Sequence, residues 1–555
     1  MKKILAVIMI ISILLLLTVG CTGNRTNESE TGGKSGTEQS ESSTTDGKAG
    51  TEQSKSSTTD KVTLTAIAVT HSLTKDIDTM THIKKMEEAA GVTVQWEQVR
   101  SGWGEQKSVL LASGDVPDLF VGWAINDADF SQYPGLFQPL NELIEKFAPN
   151  VQKMFADHPE LKQLSTHLDG NIYGLPRYQR FWPRNMIRQM INKEWLDKLN
   201  LEVPTTWDEL YNVLKAFKTR DPNGNGQADE IPMDWAPGTG SFNATVMLSG
   251  YGIVAAFGDG TGWYVEDGKV KNYFVDERYK ELVQFLHKCY KEGLVNPEVF
   301  TQDYTKYQAL GRGTDEVPLV GFTFGWEPYD RVGAKWAPQY ITIPPLKPYA
   351  DYDGPVYWDY NYYGLNYGAN HIVMTTKCEN KEAAMRFMDQ FYDPINGMQV
   401  LFGALGECIA DNGDGTYKVL PPQDPQMDPG TWKWTNTLAD AGPMYISDSL
   451  NLTLGSDMQA LAEYDKVYKP YLDAIDVDND VWPGPFIKLS QEDNSEMSLL
   501  WADLSNLINS HYAKWITEGG VEAEWDSYIK EMNNAGLPRA IEIMQKYYDE
   551  YKAKQ

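Results

Sequence analysis

The alternation of strand and helix patterns at the start of the folded region is the feature that most constrains the fold. "VTLTAIAVT" (62–70), "VTVQWEQV" (92–99) and "DLFVG" (118–122) are rich in β-branched and apolar residues and predict strands. Helical spacing separates them, first through Ile83, Met86 and Ala90 and then in a stretch that ends at "LLASGD". Strands that alternate with helices predict a parallel sheet and an α/β fold.

The same pattern resumes at "ANHIVMTTK" (369–377), and helices predominate from about residue 495 to 551. Between the third predicted strand and residue 369, Thr206 and Glu209 form a predicted capping box. The helix that follows carries an apolar stripe of Leu210, Val213, Leu214 and Phe217. A second helix has Tyr279, Leu282, Val283 and Leu286 on one face and a stop at Gly293. A chain that crosses between two α/β lobes has this order of elements.

Length and charge narrow the class of protein. A chain of 555 residues exceeds the size of a single hydrophobic core, so two or more folded units are expected. The 77 acidic and 49 basic residues give a formal charge of -28, which repels phosphate backbones and anionic headgroups. We therefore expect no nucleic-acid partner, and contact with a membrane only through a lipid anchor.

The N-terminus predicts export. Residues 1–20 have a Lys2-Lys3 start and an apolar run, as in a secretory signal peptide. Thr18-Val19-Gly20-Cys21 resembles the lipobox of bacterial lipoproteins, although Thr18 stands where leucine is usual; the alternative is a stray cysteine. Residues 21–61 are then the lipidated N-terminus and a spacer. Its low-complexity unit "GTEQSESSTTD" (36–46) recurs as "GTEQSKSSTTD" (50–60), which predicts disorder.

The remaining cysteines do not form a disulfide framework. Cys289, Cys378 and Cys408 are too few for so long an exported chain, although one pair is possible.

"DPNGNGQADE" (221–230) predicts a metal loop. Asp221, Asn223 and Asn225 occupy alternate positions as in an EF-hand, Gly226 allows the sharp turn, and Gln227 offers its carbonyl. Pro232 replaces the bidentate glutamate of a true EF-hand, so Asp229 and Glu230 are the expected carboxylates. Oxygen ligands at this density suit a structural Ca²⁺ ion. The alternative is a loop held by its own Asx-turn hydrogen bonds.

Six runs along the chain resemble the extracellular solute-binding proteins of bacterial ABC importers, in particular the large branch with alginate-oligosaccharide-binding proteins. They are "LLASGDVPDLFVG", "DGNIYGLP", "INKEWLDKLNLEVPTTWDELYNVLKAFK", "YKEGLVNPEVF", "IVMTTKCENKEAAMRFMDQFYDPINGMQVLFGALGE" and "WITEGGVEAEWDSYI". The loop at 221–230 is similar to the calcium loop of the alginate-binding relatives.

The resemblance implies a two-lobe, periplasmic-binding-protein-like α/β fold with a helical C-terminal part. The first lobe is expected from residues 62–180 and 369–435, and the second from 181–368 and 436–555. The crossings are expected near 177–184 and 365–371. The implied function is a surface-anchored carrier that binds an oligosaccharide between the lobes and delivers it to an ABC permease, and a monomer is expected.

Aromatic residues in loops after strands are the candidate sugar platforms, because sugar rings present C–H faces to aromatic rings and ligands bind at the ends of strands. The candidates are Trp123, Tyr178, Trp182, Trp235, Trp326, Tyr360, Tyr362 and Trp434. Arg177 and Arg180 lie beside the first crossing, where they either pair with a uronate carboxylate or brace the hinge.

Two other functions remain open. An exported calcium-containing carbohydrate-active enzyme would also be acidic and rich in aromatic residues; no Gly-x-Ser-x-Gly elbow is present, but paired catalytic carboxylates are compatible with the sequence. The same fold could also bind a peptide or another small solute, or serve as the extracellular partner of a sensor. We expect a carrier with no catalytic residues.

Overall fold

A computed structural model describes residues 61–238, 240–361, 366–424 and 427–555. The predicted signal peptide, Cys21, the spacer and Tyr362 lie outside these residues. The strands are β1 (Val62–Val69), β2 (Val92–Val99), β3 (Leu119–Gly122), β4 (Gly174–Tyr178), β5 (Arg188–Asn192), β6 (Ile231–Asp234), β7 (Trp263–Glu266), β8 (Lys269–Asn272), β9 (Val320–Gly325), β10 (Tyr340–Thr342), β11 (Tyr367–Met374), β12 (Ile409–Asp411), β13 (Thr416–Val419) and β14 (Asn451–Thr453).

The helices up to the return of the chain are α1 (Thr81–Ala90), α2 (Trp103–Ser113), α3 (Asp127–Gln132), α4 (Asn141–Phe147), α5 (Pro149–Asp157), α6 (Pro159–Ser165), α7 (Lys193–Leu199), α8 (Trp207–Thr219), α9 (Glu277–Lys291), α10 (Tyr304–Gly311) and α11 (Pro328–Trp336). The later helices are α12 (Lys381–Gln390), α13 (Pro394–Phe402), α14 (Pro429–Asn436), α15 (Ser456–Asp465), α16 (Lys469–Asp473), α17 (Val477–Asp480), α18 (Gln491–Glu518), α19 (Val521–Asn534) and α20 (Leu537–Lys552).

The first sheet has five strands in the order β2-β1-β3-β11-β4. The predicted parallel pairing is confirmed for β1 with β2 and with β3. β11 runs antiparallel to both β3 and β4, so the sheet is mixed. Helices α1, α5 and α12 cover it and bury Ile83, Met86, Met154 and Phe387 in the first core. Because β11 comes from residues 367–374, the chain returns to the first sheet after building the second.

The second sheet has the order β10-β5-β9-β6 and a core of its own. The predicted stripe of α8 is buried there, as is the predicted face of α9. The Thr206 hydroxyl accepts a bond from Glu209 N at 3.2 Å, which confirms the N-cap. The Glu209 carboxylate reaches back to Thr205 N at 2.7 Å, one residue before the position that a capping box predicts.

The C-terminal helices pack on the second core, as the resemblance implied. α18, α19 and α20 bury Leu504, Trp515, Trp525, Met532 and Ile543 there. Within the described part of the chain, no helix combines the length and the apolar character needed to cross a membrane.

Most of the fully buried residues between 438 and 486 lie in the first core. Leu438, Met444, Tyr445 and Phe486 are buried in the first core, and Met497 is the next residue buried in the second. Contacts with the second core also begin in this part of the chain: Tyr468 stacks on Trp358 at 4.7 Å, and Val467, Tyr471 and Trp482 pack against the second core from partly buried positions.

Two chain segments between the lobes lie side by side. Asp359 accepts bonds from Met186 N at 2.7 Å, Ile187 N at 3.1 Å and Phe257 N at 3.1 Å. Asn366 exchanges two bonds with Trp182, from Trp182 N at 3.0 Å and to Trp182 O at 2.7 Å. The backbone that carries Trp182 is thus fixed by the returning segment.

The three described cysteines are free and buried. Cys289 lies in the second core, whereas Cys378 and Cys408 lie in the first. Packing therefore stabilises both lobes without a disulfide among these residues.

Candidate functional site

Five ring-bearing side chains form a strip that joins the two lobes, which we call the aromatic strip. On the first-lobe side, His71 stacks on Trp434 at 4.4 Å, and Trp123 lies 5.9 Å from the same ring. Trp182 of the first crossing meets Trp326 of the second lobe edge-on at 5.8 Å. Trp123 is 46% exposed, and the three other tryptophans are partly exposed. The strip therefore offers ring faces from both lobes and from the segment between them.

Lys433 links the two halves of the strip. Its ammonium lies 4.5 Å from the centre of the Trp182 ring and 5.2 Å from that of Trp434. A cation over an aromatic face is attracted by the ring quadrupole, so this ammonium stabilises both rings in one arrangement. The sequence "WKW" in α14 places Lys433 between Trp432 and Trp434.

Asp440 lies beneath this junction and accepts bonds from three segments. Arg177 Nη1 donates at 3.0 Å and Trp182 Nε1 at 2.7 Å, both to Oδ1, while Lys433 Nζ lies 3.4 Å from Oδ2. Burial alone would raise the pKa of Asp440, but Lys433 and Arg177 outweigh it and hold the pKa below its usual value. The Asp440 carboxylate is therefore ionised and forms ion pairs with both Lys433 and Arg177.

Arg177 and Arg180, the two arginines beside the first crossing, stabilise it through bonds within the protein. Arg177 pairs with Asp440, while Arg180 donates to the carbonyls of Ser447 at 2.7 Å and Leu450 at 2.8 Å. His371 beside Arg177 is uncharged, because burial and the Arg177 charge lower its pKa to about 3. The structure thus assigns these guanidinium groups internal partners.

The second-lobe end of the strip follows β9 directly. Trp326 lies under the guanidinium of Arg188 at 4.9 Å, and Arg188 pairs with Asp465. Glu327 caps α11 by accepting from Tyr329 N at 2.7 Å and Asp330 N at 2.6 Å, and burial raises its pKa to about 7. Burial first, and then the charge of Asp428 at the N-cap of α14, raise the pKa of Asp330. The two lobes therefore face each other with carboxylates at this end.

A buried ion pair fixes α11 on the second sheet. Arg331 donates to Asp234 at 2.8 Å, to the Thr323 hydroxyl at 3.1 Å and to Tyr307 O at 2.7 Å. Both charged side chains are 0% exposed. Asp234 also accepts from Asn296 and Gln302, so its acceptor positions are filled. This pair positions the loop that carries Trp326.

A cavity of about 540 Å³ lies against Trp182. Its lining includes Trp182, Arg184, Tyr360, Met458, Leu461 and Asp465. Apolar walls with a few polar groups suit a small ligand, and a volume of this size is within the usual range for ligand pockets. The strip and the cavity share Trp182.

The structure brings together four of the predicted ligand residues, namely Trp123, Trp182, Trp326 and Trp434. Tyr178 is buried in the first core, where its hydroxyl donates to Asp448 at 2.6 Å. Trp235 is 0% exposed in the second core, so it does not reach the strip. Tyr360 is 3% exposed and receives a bond from Arg184 at its hydroxyl while it lines the cavity.

His71, Lys433 and Asp440 were missed because only the fold brings them together. Lys433 lies between two tryptophans in the sequence, and this spacing was the one available signal. Asp440 and Arg177 are 263 positions apart, so no local pattern connects them.

The predicted metal loop is held partly by its own bonds. Asp221 accepts from Gly224 N and Gly226 N at 3.0 Å each, and Asp229 accepts from the amides of Asn223 at 2.8 Å and Asn225 at 2.9 Å. Glu230 Oε1 is buried without a hydrogen-bond partner. Burial first, and then the charges of Asp221 and Asp229, raise the pKa of Glu230. Among the described residues, no group of three or more His, Cys, Asp or Glu side chains has a metal-binding arrangement, so amide and carbonyl oxygens would have to complete this one.

Comparison with known proteins identifies the family. The profile of the bacterial extracellular solute-binding proteins matches residues 61–397, which is more than half of the chain. The chain belongs to this family. Its two largest sheets, its crossings and its helical C-terminal part form the periplasmic-binding-protein-like fold that the resemblance implied.

Three relatives illustrate what this solute-binding protein is similar to. The fructooligosaccharide ABC transporter substrate-binding protein FusA of Streptococcus pneumoniae is 30% identical over 519 residues, 89% of this chain and 91% of that protein. Its structure in complex with kestose has a TM-score of 0.78 at 29% identity and covers 89% of this chain and all of that chain. The HMO-binding, ABC-transporter-associated solute-binding protein of Bifidobacterium longum infantis has a TM-score of 0.83 at 30% identity, covering 89% of this chain and 99% of that one. The polygalacturonan/rhamnogalacturonan-binding protein YtcQ of Bacillus subtilis is 26% identical over 311 residues, 55% of this chain and 54% of that protein.

FusA and the HMO-binding protein are substrate- or solute-binding proteins of ABC transporters rather than enzymes, and YtcQ is named as a binding protein. The enzyme alternative is therefore not supported by the family.

Proposed function

We propose that this protein captures an oligosaccharide on the aromatic strip and in the adjoining cavity and delivers it to an ABC permease without altering it. The single observation that carries this proposal is the strip itself, whose rings come from the first lobe, the crossing and the second lobe. A ligand stacked on all three parts makes contacts that exist only when the lobes are close, and such contacts drive closure.

The test is a thermal-shift screen of the purified mature protein with neutral and acidic oligosaccharides, followed by chromatography of the same mixtures. We expect stabilisation by at least one glycan and no new product. A product would instead indicate the enzyme, and stabilisation by peptides alone would indicate the other ligand class.

Trp123 and Trp326 are expected to bind sugar rings from opposite lobes. Replacing either with alanine should weaken binding by about 1–3 kcal/mol, because each loses one stacking face. Isothermal titration calorimetry with the glycan found in the screen measures this effect. Trp501 is a matched control, since it packs against Trp263 on the second lobe at 5.7 Å and lies outside the strip. Unchanged affinity in both strip variants would contradict the proposed cleft.

We also propose that the loop at 221–230 binds a structural calcium ion. The partnerless oxygen of Glu230 and the mutual repulsion of Asp221, Asp229 and Glu230 support a cation there. The side-chain oxygens of Asp221, Asn223, Asn225, Asp229 and Glu230 and the carbonyl of Gln227 would hold it. A bound Ca²⁺ would supply the positive charge that offsets three carboxylates. Because the loop joins α8 to β6, the ion would stabilise that connection in the second lobe.

Removal of calcium with a chelator should lower the melting temperature by several degrees, because an ion that binds only the folded state stabilises it by mass action. Differential scanning calorimetry before and after chelation measures the shift, and elemental analysis measures the bound metal. D229N should lower the melting temperature and abolish the response to the chelator. If chelation has no effect and no calcium is recovered, the loop is held by its Asx-turn bonds alone.

We further propose that the mature protein is a monomer on the outer face of the cell membrane, anchored through lipid on Cys21. The family is extracellular, which supports this location. The spacer that follows Cys21 would separate the binding lobes from the membrane. Metabolic labelling with a radioactive fatty acid tests the anchor, with C21S as the unlabelled control.

A further inference from the structure

The charged groups around the aromatic strip indicate which sugars it accepts. Cationic side chains approach the strip rings at two places, Lys433 over Trp182 and Trp434 and Arg188 over Trp326. Lys433 pairs with Asp440, and Arg188 pairs with Asp465. Arg177, behind Trp182, shares Asp440. Each of these cations therefore already has a carboxylate partner inside the protein.

Two other cations lie near the strip: Lys75 donates to the Asn436 side chain of α14 at 3.1 Å, and the charge of Arg312 acts on Asp330 to lower its pKa against the effect of burial. Burial and Lys433 lower the pKa of His71, which stacks on Trp434. Glu327, Asp330 and Asp428 add acidic groups at the second-lobe end. The internal residues outside the described ranges, namely Thr239, Tyr362, Tyr363, Gly364, Leu365, Pro425 and Gln426, are all uncharged.

We propose that Asp440 makes the aromatic strip selective for neutral saccharides, because it holds both Lys433 and Arg177 in ion pairs inside the protein and so directs them away from a uronate. This inference rests on the proposed function and adds the chemical class of the ligand. Asp440 acts through Lys433 and Trp182 and is therefore a positioning residue. The relative YtcQ is named for acidic polysaccharides, so family membership alone leaves the ligand charge open.

Three more cations, Arg184, Lys466 and Lys469, line the adjoining cavity together with Trp182. Lys466 pairs with Glu463 at 2.6 Å, and Lys469 pairs with Asp473 at 2.6 Å. Arg184 donates to the Tyr360 hydroxyl at 2.8 Å. If these groups bound acidic sugars, the wild-type protein would bind a uronate at least as well as its neutral form.

The substitution Asp440→Asn separates two sets of contacts of the carboxylate, the bonds that Oδ1 accepts from Arg177 and Trp182 and the ion pair of Oδ2 with Lys433. The amide oxygen can still accept from Trp182 Nε1 and Arg177, which both use Oδ1. The amide nitrogen replaces Oδ2 and cannot accept from Lys433, which releases that ammonium toward the ligand. The variant should therefore tolerate a carboxylate on the sugar.

The experiment uses the glycan that stabilises the wild-type protein in the screen and the same glycan oxidised at its primary hydroxyls to uronic acids. For the wild type we expect calorimetry to show at least about a tenfold loss of affinity on oxidation. For D440N we expect most of that loss to disappear. D440N/K433Q should show the wild-type loss again, because it lacks the released ammonium. D448N is the matched control, since Asp448 accepts from Tyr178 and touches neither Lys433 nor Arg177.

The outcomes are distinct. Equal or tighter binding of the oxidised glycan by the wild type, or no difference between D440N and the wild type, overturns the inference and leaves the proposed function intact. If no glycan binds, the proposed function itself fails. If D440N does not fold, the K433Q variant decides. An unchanged preference of K433Q for the neutral glycan supports the inference. A stronger preference for the neutral glycan shows that Lys433 already attracts carboxylates and overturns the inference.

Discussion

Asp234→Ala should lower the free energy of unfolding by about 3–5 kcal/mol, the largest effect we expect for a single substitution. Asp234 and Arg331 are both 0% exposed and lie 2.8 Å apart. Removing the carboxylate leaves a buried guanidinium whose remaining bonds go to Thr323 and Tyr307, and neither partner carries a charge. Urea unfolding monitored by circular dichroism measures the loss.

The matched control for this substitution is Asp197→Ala. Asp197 pairs with Lys193 at the surface, where its side chain is 62% exposed, so its removal should cost less than about 1 kcal/mol. A loss below 1 kcal/mol in D234A would show that the buried pair does not hold the second lobe. D234A should also weaken glycan binding, because Arg331 belongs to α11, which begins directly after Trp326 and Glu327.

The elements that were predicted correctly depend on local pattern. The stripe of α8 from Leu210 to Phe217 repeats with the helical period, and all four of its apolar members are buried. β1 and β2 were predicted from their β-branched and apolar residues and pair in parallel as expected. These features need only a window of about ten residues, because the period and the end signals lie within the element.

The residues that were placed wrongly depend on the whole fold. Tyr178 and Trp235 each follow or end a strand, as Trp123 does, yet both are buried in a core. The sequence identifies an aromatic residue at the end of a strand, but which face it turns to depends on what packs above it. The ion pair between Asp440 and Arg177 joins residues that lie hundreds of positions apart in the sequence. The amino-acid composition does not indicate such a pair.

The calcium loop is intermediate between these cases. Its donors lie within ten residues, so the candidate ligands were identifiable from spacing alone. The Asx-turn bonds and the partnerless Glu230 oxygen are both present in the same loop. The calcium assignment therefore stays a prediction that chelation decides.

Trp182→Ala should weaken glycan binding by about 2–4 kcal/mol, which is more than either Trp123→Ala or Trp326→Ala. Trp182 lies at the centre of the site: it contacts Trp326, carries the Lys433 ammonium over its face and lines the cavity. Its backbone is held by Asn366 and its indole by Asp440, so the ring is presented with little rotational freedom to lose on binding. Replacing Trp182 with alanine removes its stacking face and also removes the contacts that Trp326 and Lys433 make with its ring.

Calorimetry with the neutral glycan measures this loss, and small-angle scattering of the same samples measures closure. Trp182→Phe is the conservative control, because it keeps a ring but cannot donate to Asp440. We expect it to recover part of the affinity, since stacking persists while the bond that orients the ring is lost. If W182A binds as tightly as the wild type, the ligand does not lie on the strip, and the joining of the lobes through Trp182 has only a structural role.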